Sequence, residues 1–165
     1  MKLSIEHTFA ATPAEYADLY FDEPFSIELC ASVKLGRTLL RLDRSATHLV
    51  RHVRCEPIRD IPAPVAKMLA GRSFHYVEEL DFDLAALRGQ WRVVPSLVPD
   101  KVEASGTLVF EDAGGGKVKR AVRGDVKVSV FGIGGLVERF VVGEVEKSYD
   151  DASTFTQTFL ERRRG

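Results

Sequence analysis

Residues 128–151 read VSVFGIGGLVERFVVGEVEKSYDD. The alternation of Val128 and Val130 ends a strand pattern, Gly132, Gly134 and Gly135 follow, and strongly helical sequence comes next. Strand, glycines, helix is also the order of a phosphate-binding loop. A dinucleotide fingerprint needs a third glycine two residues after the second spacer, and a further strand with an acid near its end. Here Val137 holds the third position, and Asp150 and Asp151 fall within helical sequence. No Lys-Ser or Lys-Thr closes the glycine run, which excludes a P-loop. The stretch therefore reads as a sharp corner, where glycine supplies backbone angles closed to other residues. It turns the longest strand, KVKRAVRGDVKVSVF, into the last helix. Ile133, Val137, Phe140, Val141, Val145, Tyr149, Ala152, Phe155, Thr156 and Phe159 recur at spacings of three and four. That period predicts an amphipathic helix of about 25 to 30 residues, with Gly143 as a candidate kink. The closing ERRRG reads as a solvated tail whose arginines suit the negative end of a helix.

Working back from this corner, the chain is strand-rich. KLSIEHTFA alternates, with Leu3, Ile5, His7 and Phe9 on one face. Thr12, Pro13 and Glu15 then carry a helix-start signature. Asp22 and Pro24 break that helix, and a second short one is predicted from about Pro24 to Val33. From Gly36 come a hairpin turning at Arg44-Ser45, a short helix or irregular turn closed by Gly71, and strands in SFHYVEELDFDL, QWRVVPSLV and EASGTLVFED. AGGGK is a hairpin tip. The last strand carries Val118, Val122, Val126, Val128 and Val130 on one side. Contiguous strands favour one antiparallel meander, which the final helix would cover.

The 165 residues, with 45% apolar side chains, suit one domain with a sizeable core and are short for two. A net charge of −1 gives no global pull toward nucleic acid or anionic membrane. Six arginines fall between Arg37 and Arg59, but Asp43, Glu56 and Asp60 dilute them and alternation scatters them over both faces. A solvated sheet face is expected there, with no nucleic-acid partner. No apolar run reaches the roughly 18 residues of a membrane span. Glu6 and His7 interrupt the N-terminus, so a signal peptide is not expected. Cys30 and Cys55 lack a CxxC spacing. A reduced, cytoplasmic protein with buried thiols is the expectation, a single disulfide the alternative.

This element order resembles the START-like superfamily, the helix-grip fold. The expected class is α+β: a curved antiparallel sheet of six to seven strands wrapped around a long C-terminal helix, with two short helices after strand 1. The resemblance covers residues 1–165 as a single domain. The chain is similar to a bacterial family of unknown function within that superfamily. The matching motifs are Gly106-Thr107 as a strand start, the glycine hairpin Gly114 to Gly116, Gly124 to Val130, Gly134-Gly135, and Glu138. Members of that family often carry a proline before the glycine corner, where Phe131 stands here. The resemblance implies a cavity between helix and sheet that holds an apolar molecule. In the superfamily, some members are cyclases or aromatases; others are carriers, co-chaperone modules or sensors.

Polar residues on apolar faces are the candidate anchors. Arg51 lies between Leu49 and Val53, Glu78 between Tyr76 and Leu80, and Arg120 between Val118 and Val122. A buried charge needs a partner or shifts its pKa, and Arg51 with Glu78 is a plausible pair across neighbouring strands. Strand ends in water are the alternative. His7, on a face with Leu3, Ile5 and Phe9, reads as a hydrogen-bonded core histidine or a ligand contact. Trp91 shares a face with Val93 and Pro95, as core or as cavity wall. His48 and His52 lie about 13 Å apart on a strand, too far to share one metal ion. No nucleophile constellation and no G-x-S-x-G appears.

The expected function is non-covalent binding of a hydrophobic or amphipathic small molecule, lipid-like or polyketide-like, as carrier or sensor. The expected ligand-binding set is His7, Arg51, Tyr76, Glu78, Trp91, Val126, Val128 and Phe140, with no cofactor, no metal and no catalytic residue. A cyclase or aromatase-type enzyme and a solid interaction module are the alternatives. A positioned acid/base at His7, Glu78 or Tyr76 would mark the enzyme. An exposed apolar patch would mark the module.

Overall fold

A computed structural model describes residues 1–58 and 60–164; Arg59 of the arginine-rich window and Gly165 of the tail lie outside them. The elements in chain order are β1 (Lys2–Phe9), α1 (Pro13–Tyr20), α2 (Glu23–Ser32), β2 (Leu35–Arg44), β3 (His48–Pro57), α3 (Ala63–Leu69), β4 (Tyr76–Asp83), β5 (Arg88–Pro95), β6 (Val102–Gly114), β7 (Lys117–Val128) and α4 (Gly134–Arg164). The helix starts follow from local hydrogen bonding. Thr12 Oγ1 accepts from the Glu15 N–H at 3.2 Å, with Pro13 opening α1. Asp22 Oδ2 accepts from the Phe25 N–H at 3.0 Å, which starts α2 immediately after α1 ends. The two short helices therefore form as separate rods joined by a tight turn.

The seven strands make one antiparallel sheet in the order β1-β7-β6-β5-β4-β3-β2. Strands β2 to β7 form a meander, and β1 adds to β7 at the far edge. Pairing register keeps one parity on the concave face across the central strands, and in β2 the parity switches at the bulge between Leu39 and Arg41. Leu3, Gly124, Gly106, Trp91, Leu80, Arg51 and Leu42 form one row across all seven strands. The 31-residue α4 packs on β7, β1 and α2. This is the α+β helix-grip arrangement expected from the sequence, with both short helices after strand 1.

Two local expectations change. The longest strand is β6, with 13 residues, rather than β7, with 12. Gly106 does not start a strand; it stands inside β6, directly opposite Gly124 of β7. A Cβ at Gly106 would lie 1.9 Å from the Arg123 carbonyl oxygen, and one at Gly124 would lie 2.4 Å from both the Ser105 carbonyl oxygen and the Trp91 ring. The glycine pair lets β6 and β7 coil against each other and lets the Trp91 ring lie flat across the gap. Its indole N–H donates to the Thr107 carbonyl at 3.1 Å.

The glycine corner after β7 is structural. Gly132 has φ +82°, and a Cβ on Gly134 would lie 2.5 Å from the Val128 carbonyl oxygen. Glu138 Oε1 accepts from the Val128 N–H at 2.8 Å, closing the end of β7 with the first turn of α4. Phe131 is fully exposed beside it.

Candidate functional site

The two ends of the space between sheet and helices are filled differently. At the end where β1 finishes, Phe9 stacks on Tyr16 at 4.9 Å, Tyr16 meets Phe110 edge-on at 4.8 Å, and Phe82 packs on Phe110 at 5.1 Å. These rings pack that end solid. At the corner end, Val128 is tied to Glu138 and Gly134, and Phe140 packs against Phe74 at 6.0 Å. Between the two ends lies a cavity of about 150 Å³. Its walls come from α1, α2, the concave sheet face and the middle of α4. That volume is comparable to cavities that accept a benzene-sized guest and is roughly ten times what one water needs.

Of the eight residues expected at a ligand, Arg51, Tyr76, Glu78, Trp91 and Val126 line this cavity. His7, Val128 and Phe140 do not. Val128 and Phe140 lie where helix and sheet converge at the corner, which leaves no room beside them. The α4 wall is instead Val141, Val145, Ser148, Tyr149, Ala152 and Thr156, further along the helix. Sequence reasoning also missed the α1 and α2 walls, Tyr16, Tyr20, Phe25 and Cys30 among them. Their signal was apolar residues on two short helices, which period alone cannot distinguish from ordinary core.

His7 belongs to a chain of polar contacts behind the cavity. Arg120, 2% exposed, donates from Nη2 to His7 Nδ1 at 2.8 Å and from Nη1 to the Tyr16 hydroxyl at 3.1 Å. The guanidinium also stacks on Phe9 and Tyr149, at 5.2 and 4.8 Å. Arginine can only donate, so His7 Nδ1 must carry a lone pair. The His7 proton is then on Nε2, which donates to Asp150 Oδ1 at 2.9 Å. Burial, and then the Arg120 charge, push the His7 pKa below 6.5, against the smaller pull of Asp150.

A pH dependence follows. The unfolded chain takes up a proton at His7 near 6.5, and the folded chain only at lower pH. The stability from neutral His7 is thus complete above the unfolded value and is lost as pH falls through the folded value. Wild type is expected to lose more urea resistance between pH 7.5 and 5.5 than His7→Gln does. Equal losses would remove His7 from the account.

The expected pair of Arg51 and Glu78 does not form among the described residues. Register sets Arg51 opposite Leu80 and Glu78 opposite Val53, so the two are diagonal rather than facing. Arg51 instead leans toward α1, with its guanidinium 5.5 Å from the Tyr20 ring and 5.3 Å from the Phe21 ring. The cavity phenols stay neutral: burial pushes Tyr16 up to about 12 and raises Tyr20, Tyr76 and Tyr149 as well. Burial likewise raises the thiols of Cys30 and Cys55, both free. Outside the cavity, His48 pairs with Asp81 at 2.8 Å on the other face of the sheet.

The family's sequence profile, described as a protein of unknown function, matches residues 4–160. The chain belongs to the DUF2505 family. No curated protein matches it in sequence. Solved structures place this DUF2505 chain in the START-like fold. The Zhui aromatase/cyclase from Streptomyces sp. R1128 shares 14% identity at a TM-score of 0.68, over 100% of this chain and 96% of that one. Norcoclaurine synthase from Thalictrum flavum, solved with dopamine and hydroxybenzaldehyde, shares 12% at 0.63, over 94% and 85%. A START superfamily protein from Mycobacterium smegmatis shares 13% at 0.55, over 96% and 98%. At these identities the likeness is one of fold. Among the described residues of the DUF2505 chain, no helix is long and apolar enough to cross a membrane.

Proposed function

We propose that this chain binds a hydrophobic or amphipathic small molecule non-covalently between sheet and α4, as a carrier or sensor. The observation that carries the reading is the cavity of about 150 Å³, with mainly apolar walls and a few polar groups. A core packed solid would have argued for a pure interaction module. The likeness in fold to norcoclaurine synthase, whose structure holds dopamine and hydroxybenzaldehyde, supports the reading.

Native mass spectrometry of the purified protein, incubated with a panel of aromatic and aliphatic compounds, tests it. Wild type is expected to retain at least one of them as a one-to-one adduct. Ala152→Phe, which fills the α4 wall, is expected to weaken retention by tenfold or more. No adduct from any member of the panel, or equal retention by Ala152→Phe, would remove the cavity from consideration.

One observation favours a cyclase-type enzyme as the second reading. Tyr76, its hydroxyl kept neutral by burial, and Glu78 both line the cavity. Together they supply a donor and an acceptor for closing or dehydrating a bound polyketone. Aldol closure followed by dehydration, read as the loss of one water's mass from a bound polyketone in wild type and its absence in both Tyr76→Phe and Glu78→Gln, is the sign of that activity.

A further inference from the structure

Three arginines line the cavity: Arg37, Arg51 and Arg120. Two donate hydrogen bonds to protein side chains. Arg37 donates to both carboxylate oxygens of Glu23, at 2.7 Å each. Arg120 donates to Tyr16 and His7, while its buried Nε has no partner among the described residues. Arg51 is different. It is 7% exposed, and among the described residues its guanidinium makes no ion pair and no hydrogen bond. Its contacts are the faces of Tyr20 and Phe21.

Among the described residues, no carboxylate is paired with Arg51. Its row neighbours are Leu80 on β4 and Leu42 on β2. The aromatic groups facing it belong to α1 and the turn after it. Glu78 is the one acidic side chain in the described lining, and it too makes no ion pair. It stands one row away, opposite Val53. The phenols and thiols around the cavity are held neutral by burial. A guanidinium taken out of water without a counter-charge costs several kcal/mol, and a carboxylate is the anion whose geometry fits its forked donors. The Arg51 guanidinium lies 5.5 and 5.3 Å from the centroids of two rings set edge to face, and its donors have no partner among the described residues. Glu78 is correspondingly left with acceptors and no donor.

We propose that the ligand is a carboxylic acid about one ring in size, its carboxylate paired with Arg51, with Glu78 accepting from a hydroxyl or amine on the same molecule. This rests on the reading that the cavity holds a ligand at all. It deepens that reading from apolar ligands in general to acids bearing a hydrogen-bond donor.

Calorimetric titration at pH 7 with 4-hydroxybenzoate, benzoate and 4-hydroxybenzamide tests the assignment, alongside the panel used for the general reading. In wild type, 4-hydroxybenzoate is expected to bind at least tenfold tighter than its amide. In Arg51→Gln that preference is expected to vanish while amide binding is kept, with Arg51→Met as the second variant should the first fold poorly. Glu78→Gln is expected to erase the advantage of 4-hydroxybenzoate over benzoate. Equal binding of acid and amide to wild type, or binding confined to neutral members of the panel, overturns this inference and leaves the general reading standing. An acid preference that survives in Arg51→Gln overturns the role of Arg51. If no compound of either set binds, the general reading falls and this one with it. The wild-type comparison of acid and amide depends on no variant.

Discussion

Gly106→Ala is expected to destabilise the protein by about 3 kcal/mol or more, among the larger effects a single methyl group can have. The added Cβ would sit 1.9 Å from the Arg123 carbonyl oxygen and 2.6 Å from the Gly124 Cα. Both are backbone atoms of the paired strand, so no side chain can move aside. Strands β6 and β7 must separate at this row. The Trp91 ring, which lies over Gly124 in the same row, would then lose its seat. Urea denaturation followed by Trp91 fluorescence reads both consequences, because the chain has one tryptophan. The control is Gly115→Ala at the β6–β7 tip, where φ is +63° and nothing lies within 4 Å. That change carries only the backbone strain of a left-handed residue, about 1 kcal/mol. Equal losses at the two positions would show that contact across the strands is not what requires Gly106.

Arg120→Ala is expected to cost about 3 to 5 kcal/mol. Truncation empties the volume between Phe9 and Tyr149 and leaves the Tyr16 hydroxyl and His7 Nδ1 without their donor. Arg120→Met fills most of that volume without a charge, and is expected to recover more than half of the loss, because the desolvation cost of the guanidinium goes with it. A second readout separates the charge from the packing. With Arg120 gone, protonated His7 no longer faces a cation, so its NMR titration midpoint is expected to rise in Arg120→Met relative to wild type. An unchanged midpoint would mean that burial alone keeps His7 neutral.

These effects lie at positions whose residue type was visible in the sequence but whose partners were not. Gly106 and Gly124 were both marked as family motifs, yet only strand register sets them face to face. Arg120 was visible as a charge breaking an apolar face, and so was Arg51. Alternation says that a side chain points inward. It does not say whether a carboxylate, a ring or a cavity meets it there. The Arg51–Glu78 pair fails for that reason: the two are diagonal in register, and Arg51 meets the rings of Tyr20 and Phe21 instead. His7 was legible as an inward histidine, but Asp150, its partner on α4, lies 143 residues away in sequence.

The sequence by itself determined the strand and helix order, the cap at Thr12, the break at Asp22 and Pro24, the glycine corner after β7 and the long amphipathic helix. Each of these depends on period and on local backbone chemistry, which a dozen neighbouring residues carry. Only the tertiary structure decided where the space beneath that helix remains open. Sheet coil at the Gly106–Gly124 row, aromatic filling at one end and convergence at the corner place the cavity in the middle of α4 rather than at Phe140. Cavity position is a difference between the curvature of one layer and the filling of another, and neither is written in any one stretch of the chain.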